Sequence, residues 1–323
     1  MSVTIKDIAK TAGVSYSTVS KALRDSPLVK APTKKKITAI ANELGYQPNA
    51  AAQSLVSKKS QTIGVVWSSL EREAQAALLT HINKALENRQ YTTLVSINEM
   101  KQAVNTFQRF QVDAILVFNE NKDIPSIQAS PIPILSYGIA EGACFPTVDA
   151  NRQEAIRIAV DHFANEGHQN ILYVGMCSEN DALQDDKFSG YCTGIKKQFG
   201  PLKQALYADT SGLNRHDGYL AMKKFLSTQE LPDSIIIGSY DLARGSIQAL
   251  SEDSRPRVKD IPIISYDNLP QVDKLEIPLM KVGVPLEKIV ETIVDSLIKM
   301  IENDVPVTTS ILQPELTLIT RQF

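Results

Sequence analysis

The chain has 323 residues, of which 43% are hydrophobic and 22% are charged, as in an ordinary soluble globular protein. No apolar run approaches the ~20 residues that a membrane-spanning helix needs, and the polar start lacks the features of a signal peptide. We therefore expect a cytoplasmic protein. The three cysteines, Cys144, Cys177 and Cys192, are far apart and form no Cys-x-x-Cys pair, which argues against a disulfide framework or a zinc site.

Charge is distributed unevenly along the chain. Residues 1–60 contain ten lysine and arginine residues but only three acidic ones, whereas acidic residues predominate in the remainder and the whole chain has a net charge of −2. A basic module joined to an acidic body is typical of proteins that bind nucleic acid. Taken alone, the run Lys34-Lys35-Lys36 favours a solvated basic face, but beside the motif described next we expect it to contact phosphates.

Two short helical patterns separated by a glycine begin the chain. Residues 4–12 and 16–24 each place apolar side chains on one face, Gly13 permits a tight turn, and Ser15 is placed to cap the second helix. This spacing predicts a helix-turn-helix, in which the outer face of the second helix meets base edges in a major groove. The candidates for base contact are Tyr16, Ser17 and Lys21, and the further candidates for DNA contact are Thr4, Ser15, Thr18 and Ser20.

A third helix is predicted to begin at Thr33, after Pro32, and to end at Gly45. Its apolar side chains, among them Ile37, would complete a three-helix core. A polar linker at residues 57–61 follows, so we expect a domain boundary near residue 60.

After the linker, short β-rich runs alternate with helical stretches. Strands alternating with crossover helices predict parallel sheets covered by helices, with ligands beyond the carboxyl ends of the strands. The predicted strands are residues 62–67, 92–97, 114–118, 132–136, 170–175, 234–238 and 261–266. The predicted helices between them include residues 71–88, 152–166, 188–199 and 242–252.

Four stretches of the head resemble the LacI/GalR family of bacterial repressors. They are Val3-Thr4-Ile5-Lys6-Asp7-Ile8-Ala9, Ala12-Gly13-Val14-Ser15, Thr18-Val19-Ser20-Lys21 and Gly45-Tyr46-Gln47-Pro48-Asn49. The body is similar to the effector domain of the same family at residues 62–66, 113–116, 167–168, 190–191, 263–268 and 314–316 and at Arg321. The resemblance implies a small all-α helix-turn-helix head at residues 1–60. It also implies an α/β two-lobed, periplasmic-binding-protein-like body with parallel sheets at residues 61–323, formed by two Rossmann-like lobes that bind effector and dimerise.

In that family the segment after the Tyr-x-Pro-Asn signature folds into a hinge helix on operator DNA, and a leucine from each subunit enters the minor groove. The resemblance places this helix at about residues 49–57, with Leu55 as the wedge and Ala52 as its neighbour. An inserted apolar side chain unstacks a base step and kinks the duplex. The resemblance also makes Asn49 and Gln53 candidates for DNA contact. The family usually has arginine in place of Lys21, so we expect an altered base preference.

The function implied by the resemblance is that of a transcriptional regulator, most simply a repressor. Such a protein binds a pseudo-palindromic operator as a homodimer and is controlled by a small molecule, with a sugar or sugar derivative expected first and a nucleobase or nucleoside second. The alternative is a sugar- or nucleobase-binding sensor with a degenerate DNA-binding head. The chain has no dinucleotide, phosphate-loop, nucleophile-elbow or zinc-protease motif, so we expect no catalysis, no metal and no cofactor.

The strongest candidates for effector contact are Asp267 and Lys187. Asp267 directly follows the predicted strand and matches the family's acidic residue that accepts hydrogen bonds from effector hydroxyls, since its two oxygens can accept from two neighbouring hydroxyls. A turn-forming Asp-Asn pair is the alternative. Lys187 stands where the family commonly has an arginine that reaches into the cleft, and a solvated lysine near a helix start is the alternative.

Trp67, the only tryptophan, ends the first predicted strand of the body. Its indole could stack on a sugar ring or a nucleobase at the cleft, and core packing is the alternative. Tyr240 and Asp241 stand where the family has an Asn-Asp pair before a helix, and are also effector candidates. The remaining candidates, at other strand-to-helix junctions, are Ser69, Gln75, Asn119, Tyr137, Asp149 and Asn151.

Overall fold

The computed structural model describes residues 3–47, 59–67, 69–119, 130–177, 181–275, 277, 279–302 and 307–318. The chain separates into two units, Met1–Ser60 and Gln61–Phe323. The expected hinge helix at about residues 49–57, with the DNA-contact candidates Asn49, Ala52, Gln53 and Leu55, lies outside the described residues.

Three helices form the described part of the head, and they confirm the predicted helix-turn-helix. Helix α1 is Ile5–Ala12, α2 is Tyr16–Leu23 and α3 is Ala31–Glu43. Each helix contributes one fully buried aliphatic side chain to a shared core, namely Ile8, Val19 and Ile37. The head therefore has a small core of its own, formed by the apolar faces that the sequence pattern indicates.

The turn between α1 and α2 is fixed by its backbone and its cap. Gly13 has φ +70°, a left-handed conformation that glycine adopts without a steric penalty. The Ser15 hydroxyl accepts a hydrogen bond from the Thr18 N–H at 3.1 Å, which confirms the predicted cap. Helix α3 begins at Ala31, two residues before the predicted start, because Pro32 lies in the first turn, where no N–H has an intrahelical partner.

Strands and helices alternate through the described part of the body. The strands are β1 Thr62–Val66, β2 Thr92–Ser96, β3 Ala114–Asn119, β4 Ile134–Gly138, β5 Thr147–Ala150, β6 Ile171–Gly175, β7 Leu206–Asp209, β8 Ser234–Ile237, β9 Ile263–Tyr266, β10 Met280–Gly283, β11 Ser310–Leu312 and β12 Glu315–Thr317. The helices are α4 Glu73–Asn88, α5 Met100–Phe110, α6 Arg152–Asn165, α7 Ala182–Phe199, α8 Arg215–Thr228, α9 Tyr240–Ser251 and α10 Leu286–Glu302. Two 3₁₀ turns flank β9, Pro256–Asp260 and Pro270–Lys274.

These strands form two six-stranded sheets, in the orders β11-β5-β4-β3-β1-β2 and β12-β10-β9-β8-β6-β7. All pairings are parallel except that of β12, which runs antiparallel to β10. The chain passes to the second sheet after β5, returns for β11 and passes back for β12, so three crossings join the lobes. This topology confirms the predicted two-lobed α/β body. In each sheet the strand order reverses beside the first strand, which creates a crevice at the carboxyl ends.

The sheets are covered on both faces, as parallel sheets require. In β8 the consecutive residues Ile235, Ile236 and Ile237 are all fully buried. None of the described helices is both long and apolar enough to cross a membrane.

One predicted boundary in the body was clearly wrong. Helix α7 begins at Ala182, six residues before the predicted start at residue 188. The Asp181 carboxylate accepts hydrogen bonds from the N–H groups of Leu183 and Gln184 and so caps the helix earlier. The consequence is that Lys187 lies within the helix, where it is buried.

Candidate functional site

The outer face of α2 presents polar side chains at its N-terminal end. Tyr16 is 56% exposed, and Ser17 and Lys21 are also exposed, whereas Val19 and Ala22 on the opposite face are buried in the core of the head. The three candidates for base contact thus share one accessible surface. Ser20 is half-buried beside them.

The other DNA-contact candidates in the head form hydrogen bonds that fix the helix starts. The Thr4 hydroxyl donates to the Asp7 carboxylate at 2.7 Å and thereby lowers the pKa of Asp7. The Thr18 and Ser15 hydroxyls lie 2.8 Å apart. The Ser20 hydroxyl accepts a hydrogen bond from Arg24 Nη2 at 3.0 Å. Thr4, Ser15 and Thr18 therefore lie at helix N-termini, where backbone N–H groups suit phosphate binding.

The three consecutive lysines at the start of α3 have different environments. Lys34 Nζ lies 2.6 Å from an Asp25 carboxylate oxygen, and Lys36 Nζ donates to the Ala12 carbonyl at 3.0 Å. Lys35 is exposed. Two of the three ammonium groups thus connect parts of the head to one another, and the phosphate contact expected for the run stays a prediction.

A cavity opens in the body at the carboxyl ends of strands from both sheets. Its volume is about 90 Å³, and since one water needs about 10–15 Å³ of such space, the cavity has room for a small polar molecule. Sequence reasoning named five of its wall residues, which are Trp67, Gln75, Tyr137, Lys187 and Asp267. It missed the wall residues Arg72, Phe118, Arg152, Gln184 and Tyr266.

Aromatic rings from neighbouring strands form one side of this cavity. Trp67 is fully buried and stacks on Phe118, with ring centroids 4.6 Å apart and planes inclined by 8°. The Phe118 ring in turn stacks with Tyr137 at 5.8 Å. Trp67 therefore packs in the core and lines the cavity at once. Its indole Nε1 is buried and has no hydrogen-bond partner among the described residues.

Lys187 lies in the opposite wall and is only 3% exposed, so the alternative of a solvated lysine was wrong. Its ammonium group donates to the Gly238 carbonyl at 2.8 Å and to Gln184 Oε1 at 3.2 Å. It also lies 4.1 Å from the centroid of the Tyr266 ring, a cation–π contact. Burial lowers the pKa of Lys187 to about 7, with neighbouring Asp267 opposing this change and the nearby guanidinium groups favouring it.

Asp267 has both the turn conformation and the cavity-lining position that the two alternatives from the sequence predict. Its φ is +80°, a left-handed turn conformation that Asp and Asn tolerate better than most residues. The carboxylate lines the cavity, and Oδ2 accepts a hydrogen bond at 2.9 Å from the N–H of Tyr240, the first residue of α9. The side chain is therefore held in place by the start of a helix.

Arg152 is the most buried charged residue that sequence reasoning missed in the wall, at 5% exposed. It donates to Asp149 at 2.5 Å, to the Ala150 carbonyl at 3.1 Å and to the Gly138 carbonyl at 3.3 Å. Asp149 accepts a further bond from the Ala140 N–H at 2.9 Å. Asp149 thus supports the wall through Arg152 rather than lining it. The position of Arg152, at the start of the predicted helix at residues 152–166, was the available sequence signal.

Besides Asp149 and Asp241, four effector candidates lie outside the wall of the cavity. The Ser69 hydroxyl accepts from the Glu71 N–H at 3.2 Å in a turn. Asn151 caps α6 by accepting from the Glu154 N–H at 3.1 Å. Asn119 is buried in β3, and Tyr240 lines a separate surface depression. Short polar residues at strand-to-helix junctions also form turns and cap helices, as Ser69 and Asn151 do here.

Asp241 connects the two lobes near the cavity. Its carboxylate accepts a hydrogen bond from the N–H of Glu73, the first residue of α4, at 3.2 Å. Burial, together with the negative charge of Asp267, raises the pKa of Asp241 to about 6. The Glu73 carboxylate also lies 2.6 Å from Arg244 of α9. Two polar contacts therefore join α4 of the first lobe to α9 of the second.

We expect Lys187 to make the stability of the body depend on pH. The ordinary pKa of lysine, 10.5, applies to the unfolded chain, whereas the pKa of Lys187 in the folded protein is about 7. Below pH 7 the buried ammonium group is charged and destabilises the folded protein most, and this destabilisation decreases as the pH rises. The melting temperature of the wild type, relative to that of Lys187→Met, should therefore increase from pH 7 to pH 9. The limiting slope for one proton is about 1.4 kcal/mol per pH unit.

Differential scanning calorimetry of the wild type, Lys187→Met and the control Lys224→Met, an exposed lysine in α8, would measure this effect. Parallel melting curves for the wild type and Lys187→Met across this pH range would show that Lys187 is not the titrating group.

Comparison with known proteins gives two family matches. Residues 4–49 match the model of bacterial regulatory proteins of the lacI family, and residues 160–322 match that of the periplasmic binding protein-like domain. Catabolite control protein A of Priestia megaterium is 28% identical, covering 88% of this chain and 90% of that protein. The lactose operon repressor of Escherichia coli strain K12 is 26% identical, covering 92% of this chain and 84% of that repressor.

Solved structures show the same architecture. A lac repressor dimer bound to operator and to the anti-inducer ONPF has a TM-score of 0.82 and 22% sequence identity, covering 98% of both chains. The complex of the transcriptional regulator CelR with cellobiose has a TM-score of 0.65 and 19% identity, also covering 98% of both chains. The chain thus joins a helix-turn-helix DNA-binding domain of the lacI family of bacterial regulatory proteins to a periplasmic binding protein-like domain.

Proposed function

We propose that this regulator is a repressor that binds a pseudo-palindromic operator as a homodimer and is controlled by a small molecule held between its lobes. The observation that carries the proposal is the cavity at the carboxyl ends of both sheets, in a chain whose helix-turn-helix exposes Tyr16, Ser17 and Lys21 on one face. The dimer and operator in the lac repressor structure support it by similarity of fold. A protein that acts on operator DNA in this way works in the cytoplasm.

On DNA, each α2 enters a major groove of one half-site, so that Tyr16, Ser17 and Lys21 meet base edges. Thr4, Ser15 and Thr18, at helix N-termini, and the exposed Lys35 approach phosphates. At the centre of the operator, paired hinge helices insert Leu55 into the minor groove, with Asn49, Ala52 and Gln53 beside it. The basic head supplies the long-range attraction to DNA.

In the body, we propose that a sugar or sugar derivative lies against the aromatic rings of Trp67 and Phe118, which suit the apolar face of a pyranose. The Asp267 carboxylate accepts from its hydroxyls. The cellobiose complex of CelR supports this ligand class. Effector binding changes the orientation of the lobes and so the contacts of Glu73 with Asp241 and Arg244. Coupling between two such sites is typically about 1–3 kcal/mol.

The first test is selection of the full-length protein on a random double-stranded DNA pool, followed by titration of the selected sequence and a scrambled control near physiological salt. A palindrome bound with a clear affinity advantage supports the proposal. If no sequence is enriched, with or without the small molecules described below, the alternative of a ligand-binding sensor with a degenerate head is favoured.

Recognition through α2 makes a specific prediction. The double substitution Ser17→Ala and Lys21→Met should weaken binding to the selected operator about 10- to 100-fold, because a specific base contact typically contributes about 1–3 kcal/mol. Binding to scrambled DNA should change much less. Fluorescence anisotropy at several salt concentrations measures both affinities.

The control Lys35→Met should weaken binding to both DNAs equally and reduce the salt dependence, as expected for a phosphate contact. If the α2 double variant loses affinity equally for the selected operator and for scrambled DNA, Ser17 and Lys21 do not take part in base recognition.

A further inference from the structure

We propose that the effector carries a negatively charged group, a carboxylate or a phosphate, which binds in the cavity at Arg72. This inference rests on the proposed function, because it takes the cavity to be the effector site. It goes beyond that function by assigning the charge of the ligand, and it follows from the charges and the unused hydrogen-bond donors of the wall.

The first observation is the balance of charge in the cavity wall. Three basic side chains, Arg72, Arg152 and Lys187, line the described wall, with Lys187 about half protonated at pH 7, and Asp267 is its one carboxylate. The cations lie close enough for the guanidinium charges of Arg72 and Arg152 to act on the Lys187 ammonium group. An anion placed among these groups would relieve their mutual repulsion, whereas a neutral ligand would leave it unchanged.

The second observation is that the carboxylates in and behind the cavity wall already have protein donors. Asp267 Oδ2 accepts from the Tyr240 N–H at 2.9 Å. Behind the wall, Asp149 accepts from Arg152 and from the Ala140 N–H, and Asp241 accepts from the Glu73 N–H. These carboxylates are partly occupied by structural bonds, and they offer a ligand correspondingly fewer acceptor positions.

The third observation concerns donors. Trp67 is fully buried, and its Nε1–H has no partner among the described residues, although the residue lines the cavity. Arg72, directly before α4, has a buried Nε that likewise lacks a partner within the described part of the chain. Buried donors are normally satisfied, so these two groups indicate a ligand that supplies acceptors.

Carboxylates and phosphates supply acceptors without adding donors, and the guanidinium fork matches their geometry. Arg152 is already bonded to Asp149 and two carbonyl groups, and Lys187 to a carbonyl and an amide. Arg72 is therefore the cation that we assign to direct contact with the anion, with Trp67 Nε1 as an accompanying donor. The other two cations strengthen binding through their charge.

Pairs of compounds that differ mainly in charge test this proposal with the full-length protein. The pairs are D-gluconate with D-glucitol, D-glucuronate with D-glucose, and D-glucose 6-phosphate with D-glucose. We expect at least one charged member to bind tenfold or more tightly than its neutral counterpart by isothermal titration calorimetry and to raise the melting temperature. Preferential binding of gluconate or glucuronate would indicate a carboxylate, and preferential binding of glucose 6-phosphate would indicate a phosphate.

Variants connect this preference to the cavity. Arg72→Gln should remove most of the preference for the charged compound, and Trp67→Phe, which keeps the stacked ring but removes the N–H, should reduce it severalfold. Arg109→Gln removes a charge from an exposed position in α5 and should leave the preference intact. Circular dichroism melting curves of each variant show that the fold is retained.

Two results would overturn the proposal. One is a neutral compound that binds at least as tightly as every charged one, or no binding by any charged compound. The other is an Arg72→Gln variant that keeps the full preference. If the DNA selection yields a palindrome, the repressor proposal holds even when either of these results is obtained. Failure of the charged-effector proposal can therefore be distinguished from failure of the repressor proposal.

Discussion

Substitution of Asp267 by alanine should raise the half-maximal effector concentration roughly 10- to 100-fold, while operator affinity in the absence of effector stays within a few fold of the wild type. A hydrogen bond to a charged group contributes about 1.5–3 kcal/mol, so loss of one effector contact weakens effector binding roughly 10- to 100-fold. The measurement is a titration of the protein–operator complex with the tightest-binding compound of the paired panel, followed by fluorescence anisotropy.

Asp267→Asn provides the matched control for the fold. Asparagine tolerates the +80° φ of this position and can still accept from the Tyr240 N–H, so the start of α9 is retained. Only the negative charge and one acceptor are lost, and we expect an intermediate response. An unchanged half-maximal effector concentration in the alanine variant would exclude Asp267 from the effector site.

Substitution of Arg152 by methionine should destabilise the body by about 3–5 kcal/mol, because it leaves the half-buried Asp149 carboxylate without its ionic partner. The two carbonyl groups that Arg152 contacts also lose a donor. Urea denaturation followed by circular dichroism measures the change in the free energy of unfolding. Removing the charge as well, in Asp149→Asn with Arg152→Met, should restore a large part of the lost stability.

Arg157→Met is the comparison variant, because Arg157 lies in the same helix and pairs with Glu154 and Asp161 nearer to solvent. Such exposed pairs contribute about 0–1 kcal/mol. If the Arg152 and Arg157 substitutions lower the free energy of unfolding equally, burial of the Arg152–Asp149 pair does not increase its contribution to stability.

The three described helices of the head could be predicted from the sequence, because their determinants are local. Gly13 at the turn and Ser15 at the cap act within four residues of themselves, and the apolar spacing defines the helix faces. In the body, strands with a continuous apolar run, such as β8, were predicted, whereas β5 and β7 were missed. Each of these has only four residues, and one of the four is an aspartate, so their strand character depends on the neighbouring strands.

The cavity could be predicted in part. Trp67, Lys187 and Asp267 were found because they stand at strand ends or at positions that carry a family pattern. Arg72 and Phe118 were missed, since neither a helix-start arginine nor a strand phenylalanine indicates by itself that it faces a cavity. The packing of the two lobes decides which polar residues line the wall and which cap a helix. This packing involves residues far apart in the chain, so short sequence patterns do not reveal it.

The stacking of Trp67 on Phe118 has a practical consequence, because Trp67 is the only tryptophan of the chain. Excitation of the indole alone reports on a single place in the protein, the wall of the cavity. A ligand that reaches the indole changes the polarity around it and hence the wavelength and intensity of its emission. The protein thus carries an intrinsic optical reporter of cavity occupancy, which allows ligand binding to be followed without a label and without DNA.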